Sequence, residues 1–260
     1  MRYLALTEIY SKIESTTKRL EMTALLVELF KKTPKEIIDK VVYLTQGKLF
    51  PDYIGIELGV ADRMTMRAIA NAAGVSLKEV EEIYRKLGDL GATAEKILSE
   101  KKSVSILDFF GQTISEKELT IEEVYNTFMK IAKASGPGSQ DLKISLLTRL
   151  IRRANPIEAK YIIRTITERL RLGIADMTIL DALAEAFAGS KSYRDIIERA
   201  YNIHPDLGYI AKILANQGLK AIKNIKITLG IPIQPMLAER LNNPSEILEK
   251  LDGKCIAEYK

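Results

Sequence analysis

Apolar residues return every three or four positions along most of residues 1–224, and helix-stopping residues interrupt them at short intervals. Leu4, Ile9 and Ile13 make one such stripe, and Leu20, Leu25, Leu26, Leu29 and Phe30 make the next. Ser15, Thr16 and Thr17 between them supply a break and a cap. Thr33-Pro34 opens a helix through Ile37, Ile38, Val41 and Val42, and Gly47 and Pro51 mark a loop before Asp62 starts another. Gly74-Val-Ser76, Gly88 and Gly91-Ala-Thr93 divide further short helices. Thr120-Ile-Glu-Glu supplies a cap and an acidic first turn for a helix through Val124, Phe128 and Ile131. Strand-like alternation is scarce throughout, so the spacing predicts a mainly α protein, an array of short packed helices.

A chain of 260 residues can bury one large core, or one large domain with part of another. Hydrophobic content of 47% with 28% charged residues excludes a disordered chain. The formal net charge of +5 admits a polyanion as partner without requiring one. The single cysteine, Cys255, can form no internal disulfide, and no cluster has metal-ligand spacing. No signal peptide and no bilayer-length apolar run is present, so the expectation is a cytoplasmic monomer without a membrane partner.

Against this background one stretch stands out, Ser135 to Thr178. Ser135-Gly-Pro-Gly-Ser-Gln140 cannot continue a helix: Pro137 removes a donor, and Gly136 and Gly138 admit backbone conformations closed to other residues. The next helix is expected to begin with Ser139 as its cap and Asp141 in its first turn. A helix start offers free N–H groups and partial positive charge, which suits a phosphate oxygen. Lys143, Arg149, Arg152 and Arg153 follow; Pro156 opens a second helix carrying Lys160, Arg164, Arg169 and Arg171, and Gly173 ends it. Between Gln140 and Gly173 only Asp141, Glu158 and Glu168 offset these cations. Two readings stand: amphipathic helices with a solvated basic face, or a phosphate-binding surface, toward which the charge imbalance leans.

The order and spacing of Ser-Gly-Pro-Gly-Ser-Gln with Lys143, of Pro156-Ile-Glu-Ala-Lys-Tyr-Ile-Ile-Arg164, and of Leu170-Arg-Leu-Gly-Ile-Ala175 with Thr178 and Leu180-Asp-Ala-Leu-Ala184 resemble the DNA-binding domain of archaeal and eukaryotic ATP-dependent DNA ligases. The resemblance implies an all-helical domain that grips nicked double-stranded DNA across the minor groove. It places phosphate contacts on Gly136, Gly138, Ser139, Gln140, Lys143, Arg149, Arg164, Arg169, Arg171, Gly173 and Thr178. Lys18 and Arg19 are further candidates for phosphate contact.

The pattern changes beyond residue 224. Ile225-Lys-Ile-Thr-Leu229 alternates like a strand, Gly230-Ile-Pro-Ile-Gln-Pro235 is extended, a short helix follows Asn243-Pro, and Gly253–Lys260 reads as a second strand. The expected organisation is therefore a helical domain over 1–224 and, over 225–260, the first strands of an α+β nucleotidyltransferase domain inside which the sequence breaks off. Pro235-Met-Leu-Ala238 with Glu258-Tyr-Lys260 resembles the entry to a ligase adenylation domain. By that resemblance Lys260 is the nucleophile that takes AMP from ATP with Mg²⁺ present, Glu258 meets the adenine, and nicks are sealed through lysyl–AMP and DNA-adenylate in replication and repair. A lysine does such work only when burial or neighbouring charge lowers its pKa. The 260 residues alone lack the rest of the nucleotide pocket and are not expected to complete the cycle.

Residues 103–110, with Ile106, Phe109 and Phe110 spaced to share one side of a helical turn, resemble the short peptide that docks on a sliding clamp (PCNA-like), although Ser103 stands where that motif prefers glutamine. A loop that anchors its aromatics in the protein's own core is the equal alternative. His204, before Pro205, reads as a turn residue. A helical DNA-binding module without enzymatic activity, tethered to a clamp, is the competing functional reading.

Overall fold

The computed structural model describes residues 1–102, 118–235 and 240–256. Ile106, Phe109 and Phe110, with Glu258 and Lys260, lie outside the described residues. Thirteen α-helices occur among those described: α1 Tyr3–Glu14, α2 Arg19–Lys32, α3 Ile38–Gln46, α4 Asp62–Ala73, α5 Leu77–Leu87, α6 Leu90–Lys102, α7 Ile121–Lys133, α8 Ser139–Arg153, α9 Pro156–Ile166, α10 Asp176–Ala188, α11 Arg194–Ile203, α12 Leu207–Lys223 and α13 Pro244–Lys250. Breaks fall at the expected Ser15 after α1 and at Gly47, Gly74 and Gly88 after α3, α4 and α5, whereas Gly91 lies inside α6 and α9 stops at Ile166 instead of running through Arg169 and Arg171 to Gly173. Ser76, Thr120 and Asp206 accept amide hydrogen bonds at the starts of α5, α7 and α12.

Helix α9 is the pivot of the body. Pro156 and an Asn155–Glu158 capping box fix its start, and every residue from Tyr161 to Ile166 is buried. A helix buried on nearly all sides needs neighbours on all sides and partners for its charged residues. Helices α6 and α1 both pack against it. At Gly91 in α6 an added Cβ would stand 2.6 Å from the Lys160 carbonyl oxygen and 2.7 Å from Arg164 Cγ, so glycine sets how closely the two helices approach. Three further packings complete the core: α10 on α2, α8 on α4, and α12 on α3 with α11 beside it. Asp181 of α10, fully buried, gathers Arg19 of α2 at 2.9 Å and Lys191 at 3.0 Å, with Arg194 of α11 at 3.5 Å. Arg19, a candidate for phosphate contact, is thus engaged with a buried carboxylate.

The strand expected over Ile225–Leu229 is not formed, nor does residues 253–256 pair with it; among the described residues the only β-type pairing is one bridge, Arg2 with Thr120. Alternation alone does not make a strand: its amides need a ladder partner and its apolar side chains a covering layer. Here Leu229 is 100% exposed, and Ile227 and Ile256 are also exposed. Beyond this segment the chain is held to α11, where the Gln234 amide donates to the Asn202 carbonyl at 2.7 Å. No described helix is long and apolar enough to cross a membrane.

Candidate nucleic-acid interface

The two glycine turns are built on different principles. The first, Ser135–Gly138, is exposed between α7 and α8. Gly136 and Gly138 hold φ of +81° and +80°, a left-handed geometry that glycine adopts without steric cost. The cap of α8 is Gly138, not Ser139, which is already the first helical residue. The left-handed step at Gly138 turns the chain one residue earlier than the expected serine cap, and the Ser139 amide closes the turn on the Gly136 carbonyl at 3.2 Å. Since glycine has no capping side chain, the opening of α8 is left free to meet an external acceptor. Gln140 is exposed there, and Lys143 stands one turn on, half-buried and without an ion pair among the described residues. Arg149 lies two turns further along α8, in a groove that α8 forms with Lys130 and Asn126 of α7.

The second turn runs from the end of α9 to α10. Leu170 and Leu172 are buried while Arg169, Arg171 and Gly173 are exposed, so the chain alternates like a pinned ribbon with its cations outward. Glu168 and Arg171 have φ of +56° and +54°, unusual for residues with side chains and sustained only by surrounding contacts. Those contacts are present. The Glu168 carboxylate accepts from the amides of Leu58 and Gly59, both at 3.0 Å. The Val60 amide donates to the Ile166 carbonyl at 3.1 Å, and the Arg169 amide to the Arg164 carbonyl at 2.7 Å. Arg169 pairs with Asp62 at 3.1 Å, and Arg171 Nη1 stands 3.6 Å from Asp89.

Helix α4 connects the turns. Asp62, at its first residue, holds Arg169 of the second turn. Arg67, five residues on, faces Asp141 in the first turn of α8 at 3.9 Å. Five residues of helix rise about 7.5 Å, so one rigid rod fixes the spacing of the two anchoring points.

Two of the expected contact residues sit inside the protein. Arg164 is buried, donates to Glu14 at 2.9 Å and to both oxygens of Asp89 at 3.1 and 3.2 Å, and lies over the Tyr161 ring. Thr178 is buried in the first turn of α10. Burial would raise the Glu14 carboxyl, but hydrogen bonds from Lys160, Tyr161 and Arg164 outweigh it and hold its pKa at about 2. Sequence reasoning missed Glu14, Asp62 and Asp89 as partners of the arginines. The position of Asp89 directly before α6 was the available sign, since it caps that helix through the Ala92 amide at 2.7 Å.

The family model described as "DNA ligase N terminus" matches residues 2–184, which includes both turns and the helices that carry them. Among curated relatives, "DNA ligase 2" of Thermofilum pendens is 61% identical over 99% of this chain and 43% of its own length. The "DNA ligase" of Acidianus ambivalens is 49% identical over all of this chain and 44% of its own. The "Probable DNA ligase" of Aquifex aeolicus is 52% identical over all of this chain and 43% of its own. This chain therefore spans less than half the length of these relatives. On the family match and on identity along its whole length, the chain belongs to the DNA ligase N-terminal family.

Proposed function

We propose that residues 1–224 form the DNA-gripping body of a nick-sealing ligase and that the two turns are its phosphate contacts. The observation that carries this reading is the joint geometry: an exposed helix start without a capping side chain and an outward Arg-Leu-Arg ribbon, both tied to α4. Backbone N–H groups and arginines at fixed spacing suit a polyanion with regular phosphates, and they read backbone rather than sequence. Gly136, Gly138, Ser139, Gln140, Lys143, Arg169, Arg171 and Gly173 are the contact residues we favour, with Arg149 on the adjoining groove. Arg164 serves the site from within.

In the same proposal residues 225–260 begin the adenylation domain, with Lys260 as the group that takes AMP from ATP and Glu258 at the adenine. Mg²⁺, when bound, neutralises charge on the reacting phosphates. Ile106, Phe109 and Phe110 are proposed to engage a sliding clamp, and the protein to act as a cytoplasmic monomer. The reading that competes is a clamp-tethered DNA-binding module without catalysis. Lys260→Ala in the full-length protein separates the two: loss of covalent AMP labelling with nicked-duplex binding retained supports the ligase, and unchanged labelling rules Lys260 out.

A further inference from the structure

Asp89 carries the wrong charge for a residue beside a DNA contact, yet three elements converge on it. Its Oδ1 accepts the Ala92 amide at 2.7 Å, capping α6. Both its oxygens take the Arg164 Nε–H, at 3.2 and 3.1 Å. Its Oδ2 lies 3.6 Å from Nη1 of Arg171. The close approach of Gly91 to α9 holds the start of α6, and Asp89 with it, against Arg164. Behind it, Glu14 balances Arg164 at 2.9 Å and Lys160 at 2.9 Å, so Arg164 is shared between two anions.

The distances divide the work. Cap and Arg164 supply the close hydrogen bonds of Asp89, whereas 3.6 Å to Arg171 is an electrostatic hold without a hydrogen bond. A guanidinium offers five N–H donors, and none of those on Arg171 is consumed by Asp89. The Arg171 side chain is 58% exposed against 9% for Arg164. The left-handed backbone of Arg171 is flanked on either side by buried Leu170 and Leu172, which pin the chain while its side chain faces outward.

We propose that Asp89 is a positioning residue for DNA binding: it aims the Arg171 guanidinium outward while leaving its donors free for a phosphate. The inference rests on the second turn being a DNA contact. Simple electrostatics and positioning predict opposite signs for its removal. Taking a negative charge from a DNA-facing surface strengthens binding if charge alone matters. Positioning requires the reverse.

The test measures affinity of the full chain for a nicked duplex across a salt series, for the parent protein, Asp89→Asn, Arg171→Ala and the double variant. Asparagine remains a good helix cap and can still accept from Arg164, so the fold is expected to persist. Asp89→Asn should weaken binding by roughly tenfold, the scale of coupling between contacting residues, and Arg171→Ala should add little in its presence. Loss of one phosphate contact should also make the slope of log K against log salt shallower by about 0.9, a change that a purely structural lesion would not produce in isolation. If Asp89→Asn binds as tightly as the parent or more tightly while Arg171→Ala binds weakly, the positioning role is overturned and the DNA contact stands. If Arg171→Ala leaves affinity and slope unchanged, the DNA contact itself fails. Should Asp89→Asn not fold, Asp89→Glu decides: it keeps the charge but displaces it, so weakened binding supports positioning and parental binding refutes it.

Discussion

The two glycine turns solve one problem with opposite means. The first presents backbone: its glycines adopt φ near +80°, its helix start carries no capping side chain, and its ion pair to α4 is a long contact between Arg67 and Asp141. The second presents side chains, and each outward arginine has a carboxylate behind it, Asp62 for Arg169 and Asp89 for Arg171. A peptide dipole is aimed once the backbone is set. A long, flexible cation is aimed only if something holds it, and ordering such a side chain costs on the order of 1.5–2 kcal/mol of rotamer entropy. The second turn therefore needs a built foundation, and the first does not.

Charge reversal tests that contrast most severely. Arg171→Glu should reduce affinity for nicked duplex by roughly 10- to 100-fold at moderate salt and lower the salt slope by about one contact, because it removes a held cation and adds repulsion. Lys143→Glu, beside the first turn, should cost less, since amides there remain in place. Equal losses measured by titration at several salt concentrations would show that both turns work through side-chain charge, and the contrast would fall.

A smaller effect is expected at Glu168. Glu168→Ala leaves the amides of Leu58 and Gly59 without their acceptor and frees a left-handed residue, which should cost about 2 kcal/mol of stability. The loss should be local, read as faster amide exchange at Leu58, Gly59 and Val60 while α7 and α8 keep their protection. Uniform destabilisation would mean that the second turn is no separate unit.

These tests depend on residues with unequal visibility in the sequence. The helices were legible because caps and stops are local: Ser76, Thr120 and Pro156 act within four residues of where they stand. The first turn was legible for the same reason, but the second begins after Ile166, seven residues before the expected stop at Gly173. Their foundations were not, since Glu14 meets Arg164 across 150 residues and Asp89 meets it across 75. Arg164 and Arg169 belong to one basic pattern and differ only in which side of α9 and its exit they occupy, which tertiary packing decides. The alternation of Ile225–Leu229 misled for a related cause: a strand is defined by its neighbour, and none pairs with it among the described residues. Ser139 was displaced as cap by a backbone angle that composition does not record.

The mildest test concerns acid, and it reaches only the second turn. Glu14 lies two links behind Arg171, through Arg164 and Asp89, and its folded pKa of about 2 is below the usual 4.5 because Lys160, Tyr161 and Arg164 donate to its carboxylate against the opposing effect of burial. A depressed carboxyl pKa stabilises the folded state at any pH above the unfolded value, and that contribution is lost as pH falls toward the folded one. The window is thus pH 4.5 down to about 2. Denaturant midpoints should show the parent protein more stable than Glu14→Gln at pH 6, with the gap closing across that window. The effect should be modest, since Glu14 is partly exposed and screened by solvent. A gap that persists unchanged at pH 2 would mean that Glu14 contributes packing rather than charge, and the chain of ion pairs behind Arg171 would begin at Arg164 instead.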